Sequence, residues 1–164
     1  MEKWQLSDPE LKSLDSLAIA TIVYLVVVGV ASFLVGVYAF SASSSMPMFA
    51  VALIGLSGSA VAALTSCLDR YATGFEKEDG SSVPVEAKGK EKFNRRMSRW
   101  FFARPVLGLL VAPVLVWGIA FFVDDPAKFI GSREHLGFTA FMAGLLAKSV
   151  LDLVKGLFKN VFRS

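Results

Sequence analysis

Lys148, Asp152, Lys155 and Lys159 recur at three- and four-residue spacing near the C-terminal end of a 164-residue chain. On an α-helix that spacing gathers them within about 60° of one another, on one narrow polar stripe. They follow directly on an uncharged run, Leu136 to Ala147, of 12 residues. Such a run rises only about 18 Å, short of a bilayer's ~30 Å hydrocarbon core. A helix that crosses here must carry Lys148, and Asp152 after it, into the membrane. Charge at that depth costs roughly 2.5–3.5 kcal/mol on insertion scales and turns toward water or a bundle interior. The chemistry expected of the stripe is that of a pore wall: Lys148, Asp152 and Lys155 in a vestibule, with Gly144 and Phe141 further along and Phe141 as a hydrophobic constriction. The competing reading is structural. Lys148 would then snorkel to the headgroups or pair with Asp152 one turn on.

A second charged group lies mid-chain, where Lys88, Lys90, Lys92, Arg95, Arg96 and Arg99 precede Trp100-Phe101-Phe102. This reads as a basic amphipathic helix entering the membrane through an aromatic belt. It can hold anionic lipid headgroups, at about 1 kcal/mol per cation near the surface. It can also hold a cytosolic polyanion. Repeated around the axis of an oligomer, and joined by Lys159 and Arg163 of the tail, it would form a positive basin for a nucleotide or short single strand, with Phe93 or Trp100 for stacking. No Gly-rich phosphate loop is present, so recognition of the P-loop type is not expected.

Enzyme chemistry finds little to work with. The single cysteine, Cys67, and the single histidine, His135, have no metal-ligand companions at usable spacing. Paired carboxylates are missing from the apolar segments, and Ser149 points about 100° away from its neighbour Lys148 on a helix. Neither catalysis nor a cofactor or metal is expected.

The elements that position these residues are membrane spans. Hydrophobic residues make up 54% of the chain, too many for an ordinary soluble fold. Leu17 to Phe40, Met46 to Leu68 and Phe101 to Val123 each exceed the roughly 20 residues that cross a bilayer, and the shorter run from Leu136 makes a fourth span. The reading is an all-α membrane protein with four transmembrane helices. A short amphipathic helix, residues 1–16, leads in on Ser7-Asp8-Pro9-Glu10, with Trp4 and Leu6 at the interface. Spans one and two occupy 17–68, a basic cytoplasmic connector 69–100, and spans three and four with a basic tail 101–164. The first run is too long for a cleaved signal peptide and is expected to remain. In span two, Ala52, Gly55, Ser59, Ala62 and Ser66 form a face without bulk, suited to close helix approach or to lining a narrow passage. Pro113 is expected to kink or open span three. Four helices of this size pack solidly, so a conducting path requires an oligomer axis, in a homotetramer or homopentamer.

Orientation follows from the cations. Nine lie from Arg70 to Arg104, none in the Ser41 to Met46 turn, and the loop after span three balances Lys128 and Arg133 against Asp124, Asp125 and Glu134. Cationic segments stay on the cytoplasmic side, which places both termini and the connector there.

Two apolar spans, a basic connector, then Trp100 to Gly108 (WFFARPVLG) and Phe141 to Asp152 (FMAGLLAKSVLD) resemble a common type of small four-span bacterial membrane protein over nearly the whole chain. In size and charge layout the chain is similar to the membrane effectors of bacterial anti-phage systems, in particular the channel subunits of Hailong systems. That resemblance implies a homo-oligomeric pore in the bacterial inner membrane and a short single-stranded DNA ligand made by a partner nucleotidyltransferase. It also implies depolarisation when the ligand is lost. The rival class is a non-conducting accessory or scaffold protein whose connector binds anionic lipids or a cytosolic partner.

The charge layout gives a direct test. In a variant with Cys67 replaced, a cysteine at Ser82 is expected to be shielded from an impermeant thiol reagent in intact cells, and one at Ser44 to label. Labelling at Ser82 would invert the topology.

Overall fold

Backbone groups inside a bilayer must satisfy one another within the segment, so apolar runs become helices even when rich in β-branched residues. The computed structural model of the chain, which describes residues 8–42, 47–75 and 92–161, is nearly all helical. Its elements are α1 (Asp8–Ala42), α2 (Pro47–Thr73), α3 (Arg95–Ala120), α4 (Pro126–Gly131) and α5 (Arg133–Val161). Helices α1, α2, α3 and α5 are each long and apolar enough to cross a membrane. Among the described residues there is no strand, and Phe75 and Phe93 form an isolated bridge.

Several boundaries differ from the sequence reading. The lead-in runs on into the first span: Asp8 and Glu10 occupy the first turn of α1, which continues for 35 residues without a break. At 1.5 Å per residue that is about 52 Å, so its first turns extend beyond the hydrocarbon. Trp4 and Leu6 lie outside the described residues. The basic helix expected from Lys88 begins only at Arg95, because Asn94 has extended backbone and its side chain accepts the Met97 amide at 2.9 Å. That N-cap satisfies one of the orphan donors of the first turn. Helix α3 remains helical through Pro105 and Pro113, each of which removes one amide donor without ending the helix. The short α4 starts on Asp125, whose carboxylate accepts the Lys128 amide at 3.0 Å, with Pro126 following at the first turn.

Helix α2 stands at the centre, touching α1, α3 and α5. Its small residues permit this. Gly55 meets the backbone of Gly108 and the methyl of Ala112 on α3, and its carbonyl meets Gly144 on α5. Gly58 meets the Phe141 carbonyl. A Cβ at any of these glycines has no room, so the low-bulk face of span two serves packing within the protomer. The helices' large apolar side chains, among them Val27, Leu34, Val114 and Phe138, point outward, as lipid contact allows. Two buried clusters remain inside. One gathers Phe40, Val51, Ile54, Val116 and Leu136; the other, nearer the connector, gathers Leu25, Cys67, Phe93 and Phe101.

The glycine node predicts a contrast. Gly144→Val forces a side chain into the α2 backbone and is expected to destabilise by about 1–3 kcal/mol or more, as overpacking does. Gly118→Ala and Gly156→Ala, where a Cβ meets nothing within 4 Å, are expected to leave the unfolding midpoint in detergent unchanged. Equal midpoints for all three variants would show that the helices do not depend on this contact.

Candidate functional site

The ends of α1, α2 and α3 that carry basic residues meet at one end of the bundle. Asn94 starts α3 so that Arg95, Arg96 and Arg99 emerge exposed, with Lys92 exposed just ahead of them. Arg95 Nη2 donates to Ser13 Oγ on α1 at 3.2 Å, and the Tyr71 hydroxyl on α2 donates to Asp15 Oδ1 at 2.8 Å. Deeper in, Thr21 Oγ1 and Ser98 Oγ share a buried hydrogen bond of 3.1 Å, and the Tyr24 hydroxyl donates to the Phe102 carbonyl at 3.2 Å. These bonds tie α3 to α1 and hold the basic turn in one orientation. Lys88 and Arg163 fall outside the described residues; Lys159 lies on α5.

Phe93 departs from expectation. It is not offered for base stacking: its side chain is 0% exposed. Gly74, at φ 108°, lets the chain leave α2, and its carbonyl accepts the Phe93 amide at 2.9 Å. The Phe93 ring packs edge-on to Phe75 at 6.1 Å and parallel to Phe101 at 6.5 Å. An aromatic ring set among cations reads as a surface stacker. Here the apolar gain of burial prevails, since Phe101, Cys67 and Leu25 are close enough to enclose it. Trp100 remains 39% exposed at the same level.

The α5 stripe is split by the packing. Gly144 is buried against Gly55, and Phe141 is half-buried against the core around Leu136 and Ala140. Both belong to the interior of the protomer, where α5 packs on Gly55 and Gly58 of α2. Lys148, Asp152 and Lys155 are exposed. Register sets their depth. Gly58, near the middle of the uncharged part of α2, Pro47 to Leu68, lies against Leu145 of α5, and Gly29, at the midpoint of the uncharged part of α1, Ser16 to Ala42, faces Ala60. Lys148 follows Leu145 by three residues, so its Cα stands only about 4.5 Å from the middle of the span.

One residue escaped the sequence reading. Arg104, counted there with the connector, is only 8% exposed and lies inside the bundle, where Nη1 donates to Ser66 Oγ on α2 at 3.0 Å. The available signal was its separation from Arg99 by four residues, Trp100 to Ala103, more than one helical turn into the apolar run. Among the described residues no group of His, Cys, Asp or Glu converges to hold a metal ion.

No family model, curated protein or solved structure matches the chain.

The buried Phe93 yields an expectation opposite to that of a stacking ring. Phe93→Ala is expected to lower stability by about 3–5 kcal/mol, as for a core aromatic, whereas Trp100→Ala lowers it little. Thermal unfolding in detergent reads both, and a neutral Phe93→Ala would return that ring to the surface.

Proposed function

We propose that this chain is a subunit of a homo-oligomeric, ligand-controlled membrane pore, a channel effector of the anti-phage type it resembles. Its basic end faces the bacterial cytoplasm and is regulated there by a polyanion such as a short single strand. The observation that carries the reading is the exposed Lys148, only about 4.5 Å from mid-span. A lysine stem of about 6 Å leaves the amine short of the ~15 Å half-thickness of the hydrocarbon, so snorkelling does not bring it to the headgroups. Nor is it neutralised at home. Among the described residues Lys148 and Asp152 form no ion pair with each other. A charge so placed on the outer surface of a protomer requires water or a second subunit. Helix α5 touches α2, α3 and the short α4, and the face bearing Lys148, Asp152 and Lys155 is open to both. The lining of the proposed path is therefore reduced to these three residues, with Gly144 and Phe141 assigned to packing.

The polyanion assignment is supported by Lys92, Arg95, Arg96 and Arg99, all exposed at one end. A strand that neutralises Z such cations binds with a slope of about −0.7Z in log K against log salt. The accessory reading draws support from the protomer itself, whose central helix α2 packs against α1, α3 and α5.

One reconstitution separates the readings. In liposomes, wild type is expected to pass ions in a manner set by added short single-stranded DNA, more strongly at low salt than at high. Lys148→Glu is expected to shift cation against anion preference, and the Arg95, Arg96, Arg99 triple alanine variant to lose the DNA response while still assembling. Absence of flux in every variant and condition would leave the accessory role.

A further inference from the structure

Ala147, at 1% exposure, is the last buried residue of α5. The helix continues to Val161, and among its described side chains beyond Ala147 none is buried. Lys148, Asp152 and Lys155 are all exposed on this stretch, but they are not equivalent. At 100° per residue, Asp152 lies about 40° to one side of Lys148, and Lys155 about 20° to the other. The stripe has an acidic edge, a cationic edge and a cation between them.

Depth sharpens the distinction. Asp152 follows Leu145, the neighbour of Gly58, by seven residues, so its Cα stands about 10.5 Å from mid-span, inside the ~15 Å half-thickness of the hydrocarbon. Its side chain has a single methylene and cannot cover the remaining distance as a lysine stem does. Lys155 reaches about 15 Å, the boundary itself. Lys155 follows Asp152 by three residues on the same helix, yet among the described residues the Asp152 carboxylate forms no ion pair with it or with Lys148. A carboxylate at that depth, exposed and unpaired, is costly until a cation meets it.

A second copy of the chain supplies one. Copies inserted in the same direction hold each residue at the same depth, so α5 helices that meet around an axis run parallel and in register. Such a contact is heterologous: one edge of each helix meets the opposite edge of the next, and the set closes into a ring. The two edges of α5 carry opposite charge, which is the complementarity a contact of this kind needs. In it the Asp152 and Lys155 levels differ by only about 4.5 Å, within the span of a lysine stem.

We infer that this face of α5 docks on a second copy of the chain, with Asp152 paired to Lys155 of the partner subunit and Lys148, between the two edges, turned to the shared axis. The inference rests on the homo-oligomeric pore reading and names the subunit contact within it.

The test uses full-length chains carrying either of two affinity tags, co-expressed, extracted in a nonionic detergent and captured through one tag. Asp152→Lys makes both edges cationic and Lys155→Asp makes both acidic. Each variant expressed with itself is expected to lose co-capture by about tenfold or more, and the two variants expressed together to regain it within about twofold of wild type. Rescue between different chains is the decisive result, because a pair formed within one helix cannot produce it. Should a charge-reversed chain fail to fold, Asp152→Asn and Lys155→Gln replace it. Each is then expected to weaken co-capture and the double variant to lose no more than either alone, as for two members of one pair. Additive losses would overturn the inference. Co-capture that persists in both charge-reversed chains overturns the edge pairing and leaves the oligomeric pore standing, whereas a wild type without co-capture removes both. Rescue in trans from a protein that passes no ions in liposomes upholds the contact against the pore.

Discussion

At Gly55 the backbone of α2 touches the backbone of α3 at Gly108 and that of α5 at Gly144. In lipid no hydrophobic driving force pulls helices together, since the tails are as apolar as the side chains, and close backbone approach has to supply the attraction through dispersion. The rest of the bundle follows from that contact. From there α5 runs parallel to α2, as Gly137 near Ile54 and Leu145 near Gly58 show, and α3 runs antiparallel to it, from Arg104 beside Ser66 to Ala112 beside Gly55. The contact brings Ser59 and Ser66 opposite Arg104, and it sets the depth of Lys148 by setting the level of Leu145.

Polar groups then sort by whether the packing gives them partners. Hydroxyls that face lipid or a neighbouring helix without a partner turn back on their own chain, as Thr65 does to the Val61 carbonyl and Ser32 to the Val28 carbonyl. Tyr24 and Ser59 bond across helices instead, Thr21 both donates to the Leu17 carbonyl of its own helix and shares a hydrogen bond with Ser98, and all three lie where α3 meets α1 or α2. The charged residues divide the same way. Arg95, Arg96 and Arg99 are exposed at the bundle's end, Arg104 is enclosed between α2 and α3, and Lys148 is exposed on α5.

The four spans were legible in the amino-acid order because length and apolarity suffice: backbone groups in lipid have no alternative to the helix. So was the use of Gly55 and Ser59, since small residues at helical spacing mark close contact. The charge stripe from Lys148 was legible as a stripe, because a helix face is a local property of spacing. Which residues of a face turn inward is not local. Gly144 and Phe141 left the proposed lining, and Phe93 left the proposed ligand surface, because each is claimed by a partner distant in sequence. Gly55 lies 89 positions from Gly144, and Thr21 bonds to Ser98 across 77. Arg104 was visible as a cation and hidden as a buried one, since burial depends on Ser66 and Ser59 standing opposite it. Sequence by itself determined the spans, their charge asymmetry and the small-residue face of α2. Only the tertiary structure decided depth and burial, because both are set by the register between helices, and register is fixed by contacts that no single segment contains.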